Sequence, residues 1–310
     1  MLISICVPTY NSGDKIVRLL NSIKTQTYKA VEVIISDDSK DNEVFTIVNN
    51  FDGALTIKYY HNSNPLGTPS NWNNAVSKCT GQWINLMHHD DWFADNNSLQ
   101  KFVDIATSKP TTTLIFSAFQ NNYLDLGTKK SFYCSKFEIW LLKQNYLNLY
   151  KTFLPNPSCT LINASYKPYE YDAKFKWLID FDFYTTLFKQ KGTFFYIDEA
   201  LVNVGMHSQQ VTASVVLNPK IEIPETIGLL NKYGNQILKN IFVFDFYWRM
   251  YRNLNVRSMP DFNNYLGYEC SYKNIINIIN FQKKIKPNTL KIGVLSKFFS
   301  AICYIQNYQK

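Results

Sequence analysis

The chain has 310 residues, 46% hydrophobic, 16% aromatic and 18% charged, which excludes a disordered chain and supplies a core for one large domain with an appendage or two ordinary ones. Its formal net charge of +8 is unevenly spread: residues 1–220 carry 20 Lys+Arg against 19 Asp+Glu, and residues 221–310 carry 12 against 5. Any partner attracted by positive charge would therefore meet the last 90 residues, and a nucleic-acid-binding tail is one reading to weigh.

Leu2 to Val7 is an apolar, β-branched run closed by Pro8, which predicts a buried strand. Ile16, Leu19, Leu20 and Ile23 then share one helix face. Val31 to Ile35 is a second strand, ending in Ser36-Asp37-Asp38-Ser39. Helix spacing returns at Val44, Ile47, Val48 and Phe51, and a strand follows at Leu55 to Tyr60. Trp72, Ala75, Val76 and Cys79 predict a third helix, Trp83 to Met87 a strand, Leu99, Phe102, Val103 and Ala106 a fourth helix, and Thr112 to Phe119 a strand. Four strand–helix units in a row predict an α/β fold, a mostly parallel, Rossmann-like sheet with helices on both faces.

Such sheets bind ligands beyond the carboxyl ends of their strands. Those ends carry Thr9-Tyr10-Asn11, Asp37-Asp38 and His88-His89-Asp90-Asp91. Neither G-x-G-x-x-G nor G-x-x-x-x-G-K-[ST] occurs, which weighs against a dinucleotide dehydrogenase and a P-loop NTPase. A nucleotide without a Gly-rich cradle needs its phosphates neutralised otherwise. Adjacent carboxylates repel unless a cation relieves them, and hard oxygen ligands suit Mg²⁺ or Mn²⁺. Zinc on both His88 and His89 is disfavoured, because neighbours on an extended segment point to opposite sides. Farther on, Asp180 and Asp182 interrupt the apolar run Trp177 to Tyr184. Apolar neighbours raise a carboxylate's pKa and make it a better general base, so one of these two should act chemically.

Taken together, Val7-Pro8-Thr9-Tyr10-Asn11, Glu32 to Ser39, Asn71-Trp72-Asn73, Gly81-Gln82-Trp83-Ile84, Leu86 to Trp92 and the block from Leu178 to His207 resemble the family-2 glycosyltransferases of the GT-A fold over roughly residues 1–215. The resemblance implies that Pro8, Tyr10, Asn11 and Asn73 contact the nucleotide and that Asp38 accepts the N–H of uracil or thymine. It implies that Asp90 and Asp91 grip the ribose and a Mn²⁺ or Mg²⁺ on the diphosphate, joined by His207. It aligns Asp180 with the catalytic base, Asp182 being the fallback. His88 stands where the family has an Asp, Trp72 where an Arg is common, and Ile179 where an acid precedes the base.

The implied activity is an inverting, metal-dependent transfer of a sugar from a UDP-sugar, with a dTDP-sugar as the lesser option. The acceptor would be a saccharide hydroxyl, with a polyprenyl-diphosphate carrier as an option, in surface polysaccharide synthesis of the O-antigen type. The rivals are a nucleotidyltransferase, whose Gly-rich basic loop is missing, and a nucleic-acid binder, which leaves the strand-end acids unexplained and is set aside. Residues 1–215 are expected to form the catalytic domain and 216–310 a basic, aromatic, mainly helical region. Lys283, Lys284, Lys286, Lys291 and Lys297 beside Ile275, Ile276, Ile278, Ile279 and Phe281 suit either a helical subdomain or an anionic membrane surface. Six scattered cysteines predict buried thiols. With no leader before Leu2 and Lys297 breaking the longest tail run, the expected location is the cytoplasm or the inner face of the membrane.

Overall fold

The computed structural model describes residues 1–53, 55–152, 154–190, 192–207 and 215–308. Strands β1 (Ile3–Thr9), β2 (Val31–Asp37), β3 (Thr56–His61) and β4 (Trp83–Leu86) alternate with helices α1 (Gly13–Lys24), α2 (Glu43–Asn49) and α3 (Ser70–Ser77). Then come β5 (Trp92–Phe93), α4 (Ser98–Ser108), β6 (Leu114–Tyr123), β7 (Thr128–Phe132), α5 (Lys136–Gln144), β8 (Thr160–Asn163), α6 (Ile179–Lys189) and β9 (Phe194–Met206). Helices α7 (Pro219–Tyr233), α8 (Ile241–Asn253), α9 (Met259–Leu266), α10 (Lys273–Lys283), α11 (Pro287–Lys291) and α12 (Gly293–Tyr308) complete the described chain.

The fold is α/β with a C-terminal helical region, as its patterning predicts. One compact unit comprises Met1–Ile139, Leu154–Ala173 and Ile179–Ser208. Its sheet runs β3-β2-β1-β4-β8-β6-β9-β5, with β7 paired to β6. The half from β3 to β4 is parallel. All seven residues of β1 are buried, as a strand covered on both faces requires. The faces of α1 and α4 bury the residues their spacing selects. The strand after α4 does not lie beside β4: β8 inserts between them, antiparallel to both. Helix α3 is rotated from expectation, burying Asn71 and Ala75 and leaving Trp72 and Val76 half-buried. The turn follows from Asn71, whose amide donates to the Thr9 carbonyl and accepts from Asn62.

Glu32 ties the parallel half together. Its carboxylate accepts from Ser4 Oγ (2.5 Å), from Thr80 N and Oγ1 (2.6 and 2.8 Å), and from Lys58 Nζ (2.8 Å). Burial alone would raise its pKa, but these donors overcome that and hold it at about 2. The linkage has a definite sign. A depressed carboxylate stabilises the fold above its unfolded pKa, and that contribution is lost as pH falls from about 4.5 towards 2. Glu32→Gln is therefore expected to cost on the order of 2 kcal/mol at pH 7 and to flatten the acid limb of a denaturant-midpoint against pH profile.

All six cysteines are free and buried, and the Cys6 and Cys79 thiols lie 2.6 Å apart.

The second unit is Trp140–Phe153, Lys174–Leu178 and Gln209–Lys310. It is larger than a tail cut at 216, because two upstream segments join it. One of these is pinned by buried Glu225, whose carboxylate accepts from the backbone N–H groups of Lys176, Trp177 and Leu178. The dense aromatic run of α8 is core: Phe244, Tyr247, Trp248 and Tyr251, at i, i+3, i+4 and i+7, are all fully buried.

Candidate active site

The parallel register aligns the carboxyl ends of β1 and β2, with Thr9 opposite Asp37. Asp37 braces them, accepting from Thr9 Oγ1 (2.9 Å), Ser39 Oγ (2.6 Å) and Tyr59 Oη (2.7 Å). Asp38 turns the other way and is 3% exposed. Its oxygens accept from Asn62 Nδ2 (2.8 Å), Leu66 N (3.0 Å) and Gly67 N (2.8 Å), fixing the 62–67 loop. A carboxylate offers about four lone-pair positions, so one further donor, such as a pyrimidine N–H, can be accommodated. Pro8 is buried, its carbonyl facing His89 Nδ1 at 3.4 Å. Tyr10 is 53% exposed beside it, and Asn11 takes φ +47°, a left-handed conformation that Asn tolerates, with its N–H on Ser39 Oγ.

Asn73 is spent elsewhere. Its amide donates to the Tyr171 carbonyl (2.8 Å) and accepts the Tyr171 N–H (2.9 Å). It therefore positions Tyr171. A cleft of ≈ 450 Å³ beside α3, lined by Asn73, Ser77, Lys167 and Tyr169, holds none of Asp38, Asp90 and Asp180.

The loop after β4 separates the two adjacent aspartates. Strand β5 pairs antiparallel with the end of β9, so the chain around 90–91 meets Gly205 and His207. Asp91 is 1% exposed, its oxygens accepting from Gly205 N (3.0 Å) and Asn156 Nδ2 (3.0 Å). Burial, then the neighbouring Asp90 charge, pushes its pKa well up. Asp90, 8% exposed, meets other partners: its Oδ2 lies 3.0 Å from His207 Nε2, and Lys15 Nζ lies 3.3 Å from the same nitrogen. Arg18 stacks over Trp92, 3.8 Å from the ring centroid, and donates to the Asp90 carbonyl at 2.9 Å. The Asp91 carboxylate thus anchors the chain after β4 to β9.

His88 Nδ1 lies 3.8 Å from Asp91 Oδ2, and His88, Asp90 and Asp91 can bring one ligand atom each within 4.8 Å of one another. Burial lowers the His88 pKa to about 4, so the ring is neutral at pH 7, and its buried Nε2 has no hydrogen-bond partner among the described residues. Carboxylates with neutral imidazole fit a divalent cation. His89 is lowered too, chiefly by burial, and packs against the strand end.

Asp180 sits in the first turn of α6, half-buried, with one oxygen on the Phe181 N–H. Burial raises its pKa to about 6. Asp182, two residues on, is 0% exposed. A row of rings links this helix to the loop after β4: Phe183 on Tyr171 (4.1 Å), Tyr171 against Trp72 (5.3 Å), Trp72 against His88 (4.9 Å). Two of the three departures from the family pattern, Trp72 and His88, thus pack on each other.

Lys15 and Arg18 escaped the sequence reading, which took only the apolar stripe of α1. Their signal was available: two basic residues at i and i+3 in the helix that leaves the β1 ligand-binding end.

The glycosyl transferase family 2 model matches residues 4–173, and the chain belongs to that family. A Campylobacter jejuni protein named a GalNAc(5)-diNAcBac-PP-undecaprenol β-1,3-glucosyltransferase is 31% identical over 91 residues, 29% of each chain. The Escherichia coli enzyme WfaP, named a UDP-Glc:α-D-GlcNAc-diphosphoundecaprenol β-1,3-glucosyltransferase, is 27% identical over 124 residues, 40% of this chain and 47% of its own. A Rickettsia prowazekii glycosyltransferase is 23% identical over 216 residues. The aligned segments span 29%, 47% and 66% of these relatives' lengths. The fold matches Staphylococcus aureus TarS, solved with UDP-GlcNAc, at TM-score 0.61 and 17% identity over 99% of this chain and 89% of that one.

Gly205 is fixed by this geometry. A Cβ there would lie 2.4 Å from the Asp90 carbonyl oxygen, a backbone atom that cannot swing aside. Gly205→Ala is expected to lower Tm by roughly 5 °C in scanning calorimetry and to displace Asp90 from His207.

Proposed function

We propose that the chain is an inverting, metal-assisted transferase that moves a sugar from a UDP-sugar to a saccharide hydroxyl, with the acceptor carried on a lipid diphosphate. The observation that carries this reading is the Asp90–His207 contact of 3.0 Å with Lys15 alongside, in the same compact unit as a half-buried Asp180 held at about 6. The bound Mn²⁺ or Mg²⁺ would neutralise the departing diphosphate. Asp90 and His207 would hold it, with His88 and Asp91 behind them, and the imidazole favours Mn²⁺ over the oxygen-preferring Mg²⁺. Lys15 supplies a fixed positive charge to the same phosphates, a task left open by Trp72. Asp38 accepts the pyrimidine N–H, with Pro8, Tyr10 and Asn11 framing the base. Asp180 takes the proton from the acceptor hydroxyl as that oxygen attacks the anomeric carbon from the face opposite the diphosphate.

The lipid-linked acceptor draws support from the names of the Campylobacter and Escherichia relatives, and the UDP-sugar donor from WfaP and the TarS complex. A panel of sugar nucleotides scored by thermal shift with Mn²⁺ tests the reading. The expected result is selective stabilisation by uridine diphosphate sugars; equal response to purine and pyrimidine nucleotides would contradict it.

A further inference from the structure

Helix α12 is amphipathic the wrong way round. The residues it buries in its own unit are Ser296, Ser300 and Cys303, at i, i+4 and i+7. Ser296 Oγ accepts from Trp248 Nε1 (3.0 Å) and Arg252 Nη1 (2.9 Å), which locks this small, polar stripe inward. The opposite stripe is Val294, Phe298, Ala301 and Ile305, at i, i+4, i+7 and i+11. Val294 is 79% exposed, Phe298 59% and Ile305 44%, with Ile292 and Leu295 open beside them. A helix of a water-facing subdomain does the reverse, and a contiguous apolar patch of this kind marks a contact surface.

The charge around it selects the partner. Lys273, Lys283, Lys284, Lys286, Lys291 and Lys297 lie between 273 and 308, and no Asp or Glu does. All six of these lysines are exposed. A second copy of the chain docking by two-fold symmetry would set lysines against lysines with no acid from this stretch to offset them. Among the described residues no helix is long and apolar enough to cross a membrane. We propose that α12, with the lysines leading into it, is an interfacial anchor that lies in the plane of an anionic bilayer. The apolar stripe enters the boundary between headgroups and acyl chains, and the lysine ammonium groups meet lipid phosphates. The proposal is independent of the chemistry assigned to Asp90 and Asp180.

The test is co-sedimentation of the full chain at about 0.15 M salt. Vesicles of equal parts phosphatidylcholine and phosphatidylglycerol are compared with vesicles of phosphatidylcholine alone. Binding to the anionic vesicles is expected to exceed binding to the neutral ones at least about tenfold. Val294→Asp with Phe298→Asp should cut it by about tenfold or more, and so should Lys291→Gln with Lys297→Gln, with Tm unchanged in both since all four side chains are exposed. Equal pelleting of wild type and both variants overturns the proposal. So does absence of vesicle binding, including the case in which the Asp variant converts an oligomer to a monomer on size exclusion, which would assign the stripe to a second copy.

Discussion

Asp180→Asn is expected to lower kcat by about 10²–10⁴-fold while leaving the affinity for UDP and Mn²⁺ within about twofold of wild type. The asymmetry follows from the role: amide and carboxylate are nearly isosteric, but the amide cannot take the acceptor's proton. The pH profile supplies a second check. Burial holds Asp180 at about 6, above the usual carboxylate range, and only the deprotonated form is a base. The wild-type rate should therefore fall as pH drops through about 6, and the variant's residual rate should lose that limb. Loss of fold is a separable outcome. A raised carboxylate pKa means that the charged form costs stability above about 6, so removing the charge should leave Tm at pH 7 equal or higher. A variant with normal activity, or one that loses UDP binding together with Tm, would remove Asp180 from this role.

Asp90→Asn should produce the opposite pattern. Its Oδ2 is the oxygen that meets His207 Nε2, with Lys15 Nζ on the same nitrogen. An amide there is a weak cation ligand, and it leaves His207 without its carboxylate. The Mn²⁺-dependent part of UDP affinity is expected to drop by about 10–100-fold in isothermal titration, and activity by more. His207→Ala should fall in the same range. Asp91→Asn should act mainly through stability, because that carboxylate bonds Gly205 and Asn156 from a buried position. If Asp91→Asn abolished Mn²⁺-dependent binding at unchanged Tm while Asp90→Asn retained it, the two roles would have to be exchanged.

The leading half of the sheet was legible because it is local. A β-branched run, a polar strand end and a helical stripe recur within a few tens of residues, and the parallel pairing of β1 to β4 follows. The place of β8 was not legible, since four residues at 160–163 give no sign that they slot between β4 and β6. At the site, the acids could be found but not apportioned. Asp90 and Asp91 are chemically identical neighbours, and only the β5–β9 pairing, which brings Gly205 N to one and His207 to the other, separates them. A side-chain amide in a motif carries no mark that it pairs with the backbone of a residue 98 positions later, as Asn73 does with Tyr171. Asp180 and Asp182 differ in burial, which the apolar run around both could not reveal. In α12 the stripe that faces the unit is set by Trp248 and Arg252 claiming Ser296, a choice the sequence does not mark.

The most direct measurement is the anomeric configuration of the product, read by proton NMR coupling constants, for transfer from the α-linked UDP-sugar that the nucleotide panel selects. Asp180 acting as a base for a single displacement predicts a β-linked product. An α-linked product would mean that configuration is retained, and would contradict the account.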